Sequence, residues 1–399
     1  MTLRTARQLF ETEPSTSRKR ILTVIPYFAV AGAERVVANL LAAMQPELFD
    51  YHLVTLRSRP GQQEHCLPSH VQRSILDSAR VETAIIALAR CLRRLRPHLI
   101  CSHIAGMNVV TALAVALSRI RARLVLVDHH VATDSIVSAG PFHALLPVAM
   151  RWAYRRSDCI VGVSTPVLQN SLHVVRSMAN KGRVIPNPVV FPRLLALSEE
   201  SADHPWFDQP QYEVVLGVGR LVLFKNFELL IEAFGLVAAH RPLARLIIVG
   251  SGPLHSFHDA HIHRLGLESL AQLIGFRANP FPLIRRAKTV VVTSHSEGLS
   301  TVLIEAMACG TPVVATEFSS VREALPGWGP KPVPFTAQAV ANAIEHRLDH
   351  PGDPQSLMAW ASRFAVRPIA ARYEQLFLEL LEGHDTQRSI VRTPGLFRE

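Results

Sequence analysis

Cysteine is scarce in this sequence and is not arranged for chemistry. Cys66, Cys91, Cys101, Cys159 and Cys309 are five scattered thiols with no CxxC spacing. Their odd number and spread exclude a disulfide framework or a cysteine-based zinc site, and predict reduced packing residues of a cytoplasmic protein. Long apolar runs are also missing. No stretch of about 18 uninterrupted apolar residues occurs, which excludes a membrane-spanning helix. Met1–Arg20 is polar and bears Arg and Lys without an apolar region or cleavage site. It reads as a disordered leader over residues 1–19, not a signal peptide. Internal repeats and low-complexity tracts are absent. So is any aromatic-interleaved basic run, RNA-binding signature or zinc finger, and nucleic acid is therefore not an expected partner.

Apolar residues are plentiful: 48% of 399 positions are hydrophobic and only 19% charged. That suffices for two sizeable cores, and the length suggests about two domains. The net charge of +10 is placed unevenly. Residues 1–190 hold 23 Lys and Arg against 11 Asp and Glu, a net +12, whereas residues 191–399 hold 19 against 21, a net −2. The basic half is expected to face something anionic, and a membrane surface fits better than nucleic acid.

The chain is organised around Thr289–Thr316. Thr289–Val292 is a β-branched run too short for a helix, hence a buried strand. A loop through Glu297 and Gly298 follows. Ser300 can cap a helix that runs through Ala308, Gly310 ends it, and Pro312 forbids its continuation. Val313–Ala315 starts the next strand. This βαβ unit implies a parallel sheet with its working edge at the strand C-termini. The backbone N–H groups of Gly298, Leu299, Ser300 and Thr301 form an anion site at the helix start. Glu305, one turn after Thr301, looks back toward the loop and can accept from two vicinal hydroxyls. Phosphate donors beside such a carboxylate suit a nucleotide sugar.

Other strand ends carry further candidates. Strand 20–26 leads into Ala31–Gly32–Ala33–Glu34–Arg35. The strand ending at Val127 is followed by Asp128–His129–His130. The segment Val184–Ile185–Pro186–Asn187–Pro188 leads through an acidic, proline-bearing linker, residues 191–211, into the second half. There the strand Glu213–Val218 precedes Gly219–Arg220–Leu221 and Lys225. A dinucleotide fingerprint would need Gly217, Gly219 and a third glycine at Val222, so an NAD-type site is disfavoured. Ala244–Val249 precedes Gly250–Ser251–Gly252, whose backbone is expected to line the same pocket. The basic helix Val81–Leu95 carries Arg90, Arg93 and Arg94, and Arg96 follows it. It suits either a membrane surface or plain solvent.

Glu297-Gly-Leu-Ser-Thr-Val-Leu-Ile-Glu305 and the segment after it resemble the E-x7-E motif of retaining GT-B glycosyltransferases of family GT4, in the lipopolysaccharide, O-antigen and capsule branch. The further motifs fall in that family's order over roughly residues 20–382. The resemblance implies an α/β GT-B fold: two Rossmann-like doubly wound domains facing a cleft. Residues 20–190 would bind the acceptor and residues 212–368 the nucleotide sugar. A C-terminal helix over 369–382 would cross back, leaving a tail over 383–399. The implied reaction is hexose transfer from a nucleoside diphosphate sugar, UDP-linked, to a hydroxyl of a lipid-linked or cell-surface glycan. The protein would sit in the cytoplasm, at the inner face of the plasma membrane.

On this resemblance Arg220 and Lys225 clamp the diphosphate, Glu305 binds the ribose and Glu297 the donor sugar. His129 faces the reacting sugar, Gly32 reaches the donor from the first domain, and Arg277 with Phe276 lies near the base. No cofactor and no metal are expected, because the chain has no Asp-x-Asp triplet and offers cationic side chains for the diphosphate. Two other readings stay open at this stage: a nucleotide-sugar 2-epimerase on the same fold, and a non-catalytic polysaccharide-assembly subunit.

Overall fold

A computed structural model describes residues 18–28, 32–57, 67–78, 81–131, 146–175 and 179–390. Cys66 and residues 1–17 of the leader read over 1–19 lie outside the described residues, while Lys19 already belongs to the first strand, where it pairs with Phe49. The apolar β-branched runs form strands, and all the strand pairings are parallel. The first sheet contains β1 (Lys19–Tyr27), β2 (Phe49–Arg57), β3 (Val71–Ile75), β4 (Leu99–His103), β5 (Arg123–Asp128), β6 (Cys159–Gly162) and β7 (Gly182–Val184). Its order is β3-β2-β1-β4-β5-β6-β7. The second contains β8 (Glu213–Val218), β9 (Ala244–Val249), β10 (Ala271–Leu273), β11 (Thr289–Val292) and β12 (Val313–Ala315), ordered β10-β9-β8-β11-β12.

Helices cover both faces of the first sheet, so its strands are apolar on both sides. The alternation along β1 shows this directly. Leu22 and Val24 pack with Leu88 and Leu92 of the helix Val81–Leu95. Ile21 and Ile25 point to the other face, where Val37 and Leu41 of the helix Ala33–Ala43 meet Tyr373 and Phe377 of the helix Val366–Ile390. Successive β1 side chains enter opposite cores, so a one-residue slip would exchange the two sets.

The chain passes between the two sheets twice, and the two passes touch. Val189 and Val190 N–H groups donate to the Phe364 carbonyl at 2.9 and 3.0 Å, and Val366 N–H returns a bond to Val190 at 3.0 Å. From there the helix Val366–Ile390 lies along the first domain, where Arg123 Nε donates to the Leu380 carbonyl at 3.1 Å. This helix runs on past residue 383, which the sequence reads as tail. Gly383 stands inside it, and one glycine costs a helix only about 1 kcal/mol. Residues 191–211 are ordered too: Leu194 and Trp206 are buried, and Asn279 Nδ2 holds the Leu197 carbonyl at 2.9 Å.

Candidate functional site

In each sheet the strand order reverses at one point, between β1 and β4 and between β8 and β11. Loops leaving neighbouring strand ends part there in opposite directions and open a crevice, the standard ligand position of an open parallel sheet. The loops after β8 and β11 carry Arg220, Lys225 and Glu297, and the helix after β11 carries Glu305. On the first sheet, Gly32 and His129 follow β1 and β5, Arg35 opens the helix after β1, and His103 ends β4.

The second-domain loops are stitched together. Thr293 Oγ1 donates to the Asn226 carbonyl at 2.8 Å, and His295 N–H to the Phe224 carbonyl at 2.8 Å. This holds Lys225 over Glu297, with Nζ 2.5 Å from Oε1. Ser294 Oγ donates to the same oxygen at 2.7 Å. Glu297 is buried, so its charge is met by a cation and a hydroxyl rather than by water. Arg220 is exposed, and its side chain makes no hydrogen bond or ion pair among the described residues. Its whole fork is available to a ligand.

Glu305 lies on the helix Thr301–Ala308 and is buried. It forms an ion pair with Arg35 of the first domain, so this contact ties the two sheets together. Burial pushes the Glu305 carboxyl above its ordinary range, and the charges of Arg35 and Lys225 oppose that shift. Arg35 belongs to the quoted Gly32–Arg35 segment, but sequence reasoning gave it no role. Its partner lies 270 residues away, beyond any local pattern.

The domains meet closely at Gly298. A Cβ there would stand 1.8 Å from the His129 carbonyl oxygen, so the approach admits only glycine. Ser164, just after β6, donates Oγ to the Gly298 carbonyl at 2.6 Å. Glu323 accepts from Thr165 N–H at 2.9 and 3.1 Å, capping a first-domain helix from the second domain.

Two sequence families account for most of the chain. "Glycosyltransferase Family 4" matches residues 30–191 and "Glycosyl transferases group 1" matches residues 199–357. The chain is a two-domain glycosyltransferase. It is 26% identical over 240 residues to an uncharacterised glycosyltransferase of Methanocaldococcus jannaschii, covering 58% of this chain and 58% of that protein. Over 300 residues it is 27% identical to the N-acetylgalactosamine-N,N'-diacetylbacillosaminyl-diphospho-undecaprenol 4-alpha-N-acetylgalactosaminyltransferase of Campylobacter jejuni, covering 72% of this chain and 78% of that enzyme. Among solved structures, Anabaena HepE in complex with UDP and glucose superposes with a TM-score of 0.74 at 21% identity, covering 91% of this chain and 100% of that one. The fold is GT-B.

The remaining candidates of the transferase are placed as follows. His129 is buried at the end of β5, with Nε2 3.0 Å from Nδ1 of His103 and the rings stacked at 5.3 Å. Its Nδ1 is buried, as is the Oδ1 of Asn187, and the Asn187 side chain lies close enough to favour the protonated ring against the effect of burial. Asp128 is structural. Tyr154 and Ser171 hydroxyls donate to it at 2.6 Å each, and Asn108 at 3.1 Å. Gly32, exposed at φ +71°, starts the helix Ala33–Ala43 in a conformation that favours glycine. A Cβ on Gly252 would meet the Leu221 carbonyl at 2.4 Å, so its part is to let the loops after β8 and β9 pack. Leu299 is buried, Thr301 half-buried, and Arg277 and Phe276 are exposed.

Ser300 differs from expectation. It stands at the N-cap, but its side chain caps nothing, and its buried Oγ has no hydrogen-bond partner among the described residues. The helix start therefore keeps its N–H donors unanswered by that hydroxyl.

The buried histidines give a pH prediction. Burial lowers His103 to about 3 from its ordinary 6.5, and burial with the charges of His103 and His130 holds His129 well below it. Both are neutral in the fold and free to charge when unfolded. The unfolded state then binds more protons below the ordinary value, so stability is present above about 6.5 and is lost as pH falls toward 3. Thermal melting between pH 7.5 and pH 4 should show a falling midpoint, and His103→Asn should flatten the fall. A midpoint indifferent to that substitution contradicts the assignment.

Proposed function

We propose that the transferase moves a hexose from a UDP-linked sugar to a hydroxyl of a lipid-linked or cell-surface glycan, with retention at the anomeric carbon. The observation that carries this reading is the gathering of two buried carboxylates, Glu297 paired with Lys225 and Glu305 paired with Arg35, beside the exposed Arg220 where the two switch points meet. Glu305 would accept the ribose hydroxyls once Arg35 yields it, and Glu297 would hold the donor sugar. Arg220 and Lys225 would take the diphosphate. His129 would face the reacting sugar across the junction at Gly298. The bond from the anomeric carbon to the diphosphate oxygen breaks as the acceptor oxygen bonds to that carbon. The acceptor proton passes to the departing phosphate on the same face, where the two cations stabilise the growing negative charge.

The likeness to HepE, described with UDP, supports the donor class. The Campylobacter relative, named for a diphospho-undecaprenol acceptor, supports the acceptor class. Membership of the lipopolysaccharide, O-antigen and capsule branch is part of the same reading. So is peripheral contact of the basic first domain with an anionic membrane, in line with the absence, among the described residues, of any helix able to cross one.

The test is incubation with UDP-sugars and lipid-linked glycan acceptors, reading free UDP and the anomeric configuration of the product. Transfer with an α-linked donor giving an α-linked product supports the reading. UDP release with inversion sinks retention, and sugar isomerisation without an acceptor identifies an epimerase. Turnover should also be indifferent to EDTA, since the clamp cations do the work of a divalent ion. Loss in EDTA restored by Mg²⁺ or Mn²⁺ would contradict this.

A further inference from the structure

Part of the first domain's basic charge is gathered at one place. At the edge of the first sheet opposite the carboxylates, the starts of β1 and β2 and the end of the helix Val81–Leu95 border a cleft of about 620 Å³. Arg18, Arg20, Arg93, Arg94, Arg96 and His98 line it, with Asp50 as the single lining carboxylate among the described residues. β1 is nine residues long, so its two ends stand roughly 30 Å apart, and the cleft is separate from the sugar site.

Backbone contacts hold the frame. Arg20 N–H donates to His98 Nδ1 at 2.9 Å, and its guanidinium bonds the Leu95 carbonyl. Arg93 donates to the carbonyls of Leu117 at 2.8 Å and Ser118 at 3.3 Å. Each guanidinium has five N–H donors, so these bonds position the forks without exhausting them. A helix C-terminus favours cations in its last turn, which accounts for Arg93 and Arg94. It does not account for Arg18 and Arg20, which come from the start of β1, or for Arg96 beyond the helix. Arg96 is held at φ +44°, a conformation costly for a side chain of this size. Burial and the charges of Lys19 and Arg20 lower His98 from its ordinary range, which reports the positive field at the rim. Asp50 pairs with Arg18 at 3.7 Å, and five guanidinium groups share that one lining carboxylate, so the cleft keeps a positive field that an anion would relieve.

We propose that this cleft is a second binding site, taking a phosphate-bearing anion through its arginine forks. Planar forks match phosphate oxygens two at a time, and several forks around one cavity suit a diphosphate or a phosphodiester headgroup. The site does not depend on the sugar-transfer reading. It names the surface that would meet an anionic membrane if the phosphate is a lipid's.

The experiment uses the full chain carrying Arg220→Ala and Lys225→Ala, so that the clamp cannot bind the probe. Calorimetric titration with inorganic pyrophosphate should show saturable binding of one anion per chain. Adding Arg94→Gln and Arg96→Gln, both exposed, should weaken it about tenfold or more while leaving the melting midpoint in place. Binding that is absent, or unmoved by the two arginine substitutions, overturns the proposal. A second arm sediments the otherwise unaltered chain with phosphatidylglycerol vesicles. Vesicle binding lost with the same two substitutions and displaced by pyrophosphate assigns a lipid phosphate. Pyrophosphate binding with no vesicle binding assigns a soluble one.

Discussion

Arg220→Ala and Lys225→Ala should each lower kcat/KM for the nucleotide sugar by roughly 30- to 1,000-fold, about 2–4 kcal/mol of transition-state stabilisation. On the proposed reading, each removes a charge-assisted contact to the phosphate oxygen that gains negative charge as the sugar departs. The two variants differ in what else they disturb. Lys225 is the cation over the buried Glu297, 2.5 Å away, so its loss leaves a buried carboxylate supported by Ser294 alone. That variant should also melt earlier, since an uncompensated buried charge is destabilising. Arg220 is exposed and without an ion pair among the described residues, so Arg220→Ala should keep its midpoint while losing turnover. Steady-state kinetics beside thermal melting separates the two effects. Near-normal turnover in both variants would rule out the clamp.

Gly298→Ala should reduce kcat by about 100-fold with little change in melting. A Cβ would lie 1.8 Å from the His129 carbonyl oxygen, inside any tolerable contact, so the domains must part by more than an ångström at this point. Misplacement on that scale between groups that act together costs on the order of 10²-fold in rate. The residue sits at the junction of the two domains, not within either core, and each core can keep its packing. The Ser164 contact to the Gly298 carbonyl would lengthen as well. Unchanged kcat would show that turnover does not need this closed arrangement. A large drop in melting midpoint would show instead that the junction holds the fold.

Much of the candidate site was legible because strand ends announce themselves. Arg220, Lys225, Glu297 and His129 each follow an apolar β-branched run, and in a parallel sheet such positions share one edge. Arg35, His103 and Ser164 also follow strands, so the same rule would have reached them. What hid them was the lack of a local partner. Arg35 answers Glu305 and Ser164 answers Gly298, each across the full separation of two domains. The hydroxyl of Ser300 shows the opposite error. Its residue type is a good cap by propensity, yet the rotamer leaves the helix start uncapped.

The sequence by itself determined the strands and helices, the two-domain division and the chemistry available at each strand end, because periodicity, turn residues and short motifs act over a few residues. Only the tertiary structure decided which charges meet. Lys225 lies over Glu297, Arg35 reaches Glu305, Asp128 is spent on Tyr154 and Ser171, and five arginines gather at the far edge of the first sheet. Those pairings depend on how two sheets stack and how their faces oppose, and side-chain reach across a junction is not encoded in the spacing of residues along either chain segment.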